Sequence, residues 1–124
     1  MVQVQDWPEL TKLLSADVRN LRAGAPEVMK TFGALSMAAS APDALDAKTK
    51  ELIALAIGVS TRCDDCIAFH AKAAVERGAT RDEALEALGM AIYMGAGPSA
   101  MYASHALGAF SQFEAAAAAP ASGE

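Results

Sequence analysis

Apolar residues recur along this chain at the three- and four-residue spacing of an α-helix, and nowhere at the strict alternation of a strand. Leu10, Leu13, Leu14, Val18 and Leu21 form the first stripe, opened by Pro8, which suits a first helical turn, and closed near Gly24. Pro26 opens a second segment, with Val28, Met29, Phe32, Leu35 and Ser36 on one side, until Ala38–Pro42 breaks the pattern. A third segment runs from Ala47 to about Gly58 behind Asp46, whose carboxylate can accept free amides of the first turn. Ser60 or Thr61 is the expected cap of a fourth, which stops at Gly78, a typical glycine just past a helix end. Thr80 and Glu83 have the spacing of a capping box and open a fifth helix, with Leu85, Leu88, Ile92 and Met94 expected on its core side. Gly95-Ala-Gly97-Pro98 reads as a turn, and Pro98 begins a sixth helix reaching about Phe113. The prediction is an all-α, single-domain bundle of about six helices over residues 1–114, followed by an Ala-rich flexible tail over 115–124.

Composition changes this picture in one respect. The chain has 124 residues and 53% of them are hydrophobic, more apolar surface than one small core can hide, so subunit contacts are expected. The formal net charge of −5, with ten scattered Lys and Arg, argues against nucleic acid and anionic membranes as partners. No apolar run is long enough to span a bilayer. Met1–Pro8 has neither the basic start nor the apolar stretch of an export signal, so a cytoplasmic location is expected. In that compartment two close cysteines read as redox-active or metal-binding rather than as a structural staple.

The chemistry is concentrated in Cys63-Asp-Asp-Cys66-Ile-Ala-Phe-His70, which contains the chain's two cysteines. At roughly 100° per residue, positions 63, 66 and 70 fall in a helical sector about 60° wide. Cys66 and His70 are an i,i+4 pair, close enough for the imidazole to take the thiol proton. Glu51 joins them by a length argument. If the third and fourth helices form an antiparallel hairpin, Glu51 and His70 each lie about 10 Å from the turn, at one level on neighbouring helices. An inward Glu51 would orient the imidazole as a base; the competing reading is a solvated carboxylate paired with Lys48 or Lys50.

The stretch Glu51 to His70, followed by Lys72-Ala-Ala, Gly78-Ala-Thr80 and Glu83-Ala-Leu-Glu-Ala, resembles the alkylhydroperoxidase AhpD core of the carboxymuconolactone decarboxylase superfamily. The resemblance runs from about Leu45 to Phe113, and a Glu twelve residues before C-x-x-C with a His four after it is a specific signature. It implies a thiol (alkyl)hydroperoxide reductase that needs no cofactor. Cys66 would be the peroxidatic cysteine, Cys63 the resolving one, and His70 with Glu51 the proton relay. It also implies a hydroperoxide substrate, a thiol reductant such as a lipoylated or thioredoxin-like protein, and a homotrimer or homohexamer. One consideration opposes the cysteine assignment: Cys63 lies nearer the helix start, where the dipole favours an anion. That effect is under about 1 kcal/mol, and a hydrogen-bonded imidazole can do more. The chain departs from AhpD at Asp65, where that family often has a second His, and a carboxylate there works against a neighbouring thiolate.

Three other readings compete. Cys63, Cys66 and His70 could bind zinc, with His105 recruited as a fourth ligand, although a lone His among Ala, Leu and Ser is more often a packed or interface residue. Lactone decarboxylation gives no reason for the thiols. A non-catalytic redox sensor or structural oligomer would share the motif without turnover.

Overall fold

The computed structural model describes residues 5–119. Among them are five α-helices and no strand: α1 (Trp7–Gly24), α2 (Pro26–Ser40), α3 (Ala47–Ser60), α4 (Asp64–Glu76) and α5 (Arg81–Ala118). The starts follow the local chemistry. The Asp46 carboxylate accepts the Thr49 amide at 2.8 Å, and both halves of the Thr80–Glu83 capping box are made.

The expected sixth helix is the second half of α5. The turn at Gly95–Pro98 shrinks to one non-helical residue, Ala96 (φ 56°, ψ −137°), and helix continues on both sides of the kink. Pro98 has no amide hydrogen to continue the ladder, and a Cβ at Gly95 would collide with the Ser99 side chain, so this break depends on both residues. At its far end α5 runs through Ala115–Ala118, the start of the expected tail, because alanine is the strongest helix former. Residues 120–124 of that stretch, and the first four of the N-terminal segment read for an export signal, lie outside the described residues.

Helices α3, α4 and α5 pack together, α1 lies against α4 and α5, and α2 leans mainly on α1. The inward faces are largely alanine: Ala68, Ala71 and Ala74 of α4, and Ala84, Ala91, Ala103, Ala106 and Ala109 of α5. Leu55, Val59, Ile67 and Phe110 fill the space between them. Methyl-sized side chains let helix axes approach closely. This corrects the expected core side of the fifth helix. Leu88 is buried, but Leu85, Ile92 and Met94 are exposed, because the neighbouring Ala84 and Ala91 take the inner positions.

Many of the large apolar residues lie outside this core. α2 has no buried residue, and its Val28, Phe32, Leu35 and Met37 are 59–75% exposed. Ile53 and Ile57 of α3 line, with Met90 and Met94 of α5, an apolar groove of about 420 Å³. The start of α1 is pinned by one side chain: Gln112 accepts the Trp7 amide and donates to the Gln5 carbonyl, each at 2.8 Å.

Candidate active site

α3 and α4 form the antiparallel hairpin that the spacing of Glu51 and His70 requires. The connection turns at Arg62, whose φ of 57° is in the left-handed region seldom occupied by a residue with a side chain. That turn brings the Cys63 amide back to the Gly58 carbonyl at 2.9 Å. The cap of α4 is therefore neither Ser60 nor Thr61. The Thr61 hydroxyl bonds back to the Ile57 carbonyl at 3.0 Å, closing α3. Cys63 itself is the cap, its Sγ accepting the Cys66 amide at 3.1 Å.

Cys63 and Cys66 are joined by a disulfide across this first turn, with Cα atoms 5.2 Å apart. Both residues are half-buried. Cys66 sits against α3 at Gly58, where an added Cβ would come within 3.4 Å of the Cys66 Cβ. One turn further along α4, His70 Nδ1 lies 2.8 Å from Glu51 Oε1. An ionised carboxylate only accepts, so Nδ1 carries the hydrogen and Nε2 is left as the basic nitrogen. Glu51 is the more sheltered partner, its side chain 15% exposed against 39% for His70.

The two lysines that could have drawn Glu51 outward are engaged elsewhere. Lys48 pairs with Glu83 at 2.8 Å, which joins the N-terminal ends of α3 and α5. Lys50 donates to the Ala39 and Ala41 carbonyls at 3.0 and 2.6 Å, satisfying the C-terminal end of α2. Ser36, Ala39 and Ser40 of α2 thereby come to wall a cavity of about 180 Å³ whose other side includes Glu51 and His70.

Two features of the neighbourhood are not legible from spacing. His105, on the second half of α5, has Nδ1 3.0 Å from Oδ1 of Asp64, the first residue of α4. Its ring also lies 4.9 Å from that of Tyr102 and 6.3 Å from that of Trp7. No motif links an Asp after a cysteine to a His 41 positions later; only the packing of α5 on α4 brings them together. The role of Lys50 as a tether for α2 was equally hidden. Among the described residues no three His, Cys, Asp or Glu side chains converge to hold a metal ion.

This arrangement can be set beside known proteins. Residues 26–109 match the model of the carboxymuconolactone decarboxylase family, about two thirds of the chain. The chain belongs to that family. The family match begins at α2, earlier than the Leu45 at which the sequence resemblance starts, so α2 is part of the family domain. A carboxymuconolactone decarboxylase family protein of Legionella pneumophila superposes with a TM-score of 0.85 at 48% identity, over 87% of this chain and 96% of that one. A carboxymuconolactone decarboxylase family protein of Thermotoga maritima, for which a part in an antioxidative response has been suggested, gives a TM-score of 0.67 at 35% identity, over 72% and 92% of the two chains. An uncharacterized protein of Cupriavidus necator is 46% identical over 85 residues, 68% of this chain and 75% of its own. The carboxymuconolactone decarboxylase fold is thus the frame that sets α3 and α4 side by side, with the disulfide at the hairpin end and the Glu51–His70 pair one turn along.

Proposed function

We propose that this protein is a thiol-dependent hydroperoxide reductase of the AhpD type. The observation that supports it most is the Glu51–His70 hydrogen bond, an oriented base one helical turn from a cysteine already paired for disulfide exchange. In the reduced protein His70 takes the Cys66 thiol proton. The thiolate attacks one oxygen of the hydroperoxide, the O–O bond breaks, and Cys66 becomes a sulfenic acid while the alcohol leaves with the proton from His70. The Cys63 sulfur then attacks the sulfenic sulfur, forming the Cys63–Cys66 bond and releasing water. A dithiol reductant, such as a lipoylated or thioredoxin-like protein, restores both thiols and is itself oxidised to a disulfide. The hydrogen bond that the Cys66 amide donates to the Cys63 sulfur at the cap of α4 would stabilise Cys63 as the thiolate leaving group in that last stage.

A cytoplasmic setting suits this cycle, since reductants there keep such pairs turning over. No described helix is long and apolar enough to cross a membrane. Self-association, as a trimer or hexamer, belongs to the same proposal and is supported by the uncovered apolar faces of α2, α3 and α5.

The test is peroxide turnover with lipoyl protein, thioredoxin or glutathione as electron donor. One equivalent of hydroperoxide should convert two free thiols into the Cys63–Cys66 disulfide, and Cys63→Ser should leave a trappable sulfenic acid on Cys66. A sulfenic acid found by mass spectrometry only on Cys63, in a Cys66→Ser protein, would reverse the two roles. Disulfide formation without sustained turnover with any donor would leave a redox sensor in place of an enzyme.

A further inference from the structure

The first turn of α4 sets opposing charges against each other. The cap hydrogen bond from the Cys66 amide favours negative charge on Cys63, yet Asp64 and Asp65 add two carboxylates to the same turn. Carboxylates beside a thiol disfavour its ionisation, and the chemistry proposed above starts from a thiolate. The two aspartates differ in their surroundings. Asp65 is exposed and, among the described residues, has no hydrogen-bond or ion-pair partner; Asp64 is also open to water, its side chain 46% exposed, but it has one. Asp64, next to Cys63, turns toward α5 and meets His105 at 3.0 Å.

We propose that His105 is a positioning residue for the cysteine pair, acting through Asp64. Its Nδ1–H donates to the Asp64 carboxylate, holds it toward α5 and partly offsets its negative field at the end of α4, which favours a thiolate there. This rests on the reading of Cys63 and Cys66 as a redox pair, but not on peroxide being the substrate. The location of His105 favours a held ring over a wandering one: it stands beside Tyr102 on its own helix and Trp7 on α1, and Trp7 is buried. A cavity of about 380 Å³, lined by Trp7, Asp64, Ser104, His105 and Gly108 among others, opens onto the pair and keeps it in contact with solvent. The titratable groups facing His105 are Asp64 from α4 and Tyr102 from α5. The charged or titratable groups adjoining the cysteines are Arg62, Asp64, Asp65 and the Glu51–His70 pair.

The experiment follows thiolate formation in the reduced protein by ultraviolet absorbance and iodoacetamide alkylation across pH, in wild type, His105→Ala, Asp64→Asn and the double variant. Thiolate titration is independent of turnover, so a failure here is separable from a failure of the peroxidase reading. His105→Ala should move the thiolate midpoint up by about 0.3 pH units, a roughly twofold smaller thiolate fraction below the midpoint. Asp64→Asn should move it down, and His105→Ala should then add nothing in the Asp64→Asn background. His105→Gln keeps an N–H donor for Asp64 and should recover part of the shift, and it replaces the alanine variant if that does not fold. An unchanged midpoint in His105→Ala, even with a lowered Tm, overturns the proposal. So does an equal shift with and without the Asp64 carboxylate, since His105 would then act by another route.

Discussion

At the scale of single residues, the site is a matter of which partner each charged side chain finds. Glu51 has two lysines close by in sequence, yet both are taken by other acceptors, and its carboxylate is left for His70. His70→Ala should therefore slow iodoacetamide alkylation of the reduced protein near pH 7 by about tenfold or more, the scale of a lost general base. Glu51→Gln should act in the same direction with less force, because it removes the orienting charge but keeps an acceptor. Two variants that alkylate at the wild-type rate would remove the relay from the mechanism. The Glu51–His70 contact was legible from counting residues to a turn, because two equal helical arms must bring such positions level. The capping role of Cys63 was not, since it depends on the left-handed turn at Arg62, which no apolar spacing encodes.

At the scale of elements, the helix ends are fixed by a few carboxylates, and this makes their cohesion vulnerable to acid. The Lys48 ammonium, followed by the Thr80 amide, holds the Glu83 carboxyl below its ordinary value of 4.5. Hydrogen bonds from Thr49 hold Asp46 below 3.8. With the folded value lower than the unfolded one, the unfolded chain takes up the proton first as pH falls. The stabilisation from Glu83 is thus present above about pH 4.5 and is lost as pH falls through its lower folded value. Urea midpoints between pH 3 and 7 should place Glu83→Gln below wild type at neutral pH, with the two curves converging at the acid end; parallel curves would mean that the Lys48 pair contributes nothing proton-linked. Helix starts at Asp46 and Thr80 could be read in advance because a cap is a local event. The inner face of α5 could not. Apolar periodicity favours the bulkiest residues as core, whereas here alanines take the interior and leave Leu85, Ile92 and Met94 outside.

At the scale of the whole molecule, large apolar side chains stand exposed on α2 and along the groove between α3 and α5. Covering side chains such as Phe32 or Leu35 is worth about 1.5–3 kcal/mol each when complete, so a few of them suffice to hold copies together. Light scattering at micromolar concentration should find an assembly several times the 12.8 kDa chain mass, and Phe32→Asp should shift it toward the single chain. A wild-type protein that scatters as one chain under those conditions would end the argument for association. That the chain holds more apolar residues than its core needs was evident from composition; which faces carry the excess became visible only once the alanine interior was in place.

The tether from Lys50 to the end of α2 bears on the proposed association. α2 is 15 residues long and has no buried residue, and isolated helices of that length are marginal in water. Its last turns nevertheless wall the cavity beside His70, and the lysine that ties them down is the neighbour of Glu51. If copies of the chain cover α2, diluting them apart exposes its amides to solvent exchange before those of α3, α4 and α5, and loosens one wall of the His70 cavity in the same step. Under the proposed activity, turnover per subunit should then fall as the protein is diluted while the central helices stay folded, and a turnover per subunit that does not change with concentration would separate the closing of the site from the association of copies.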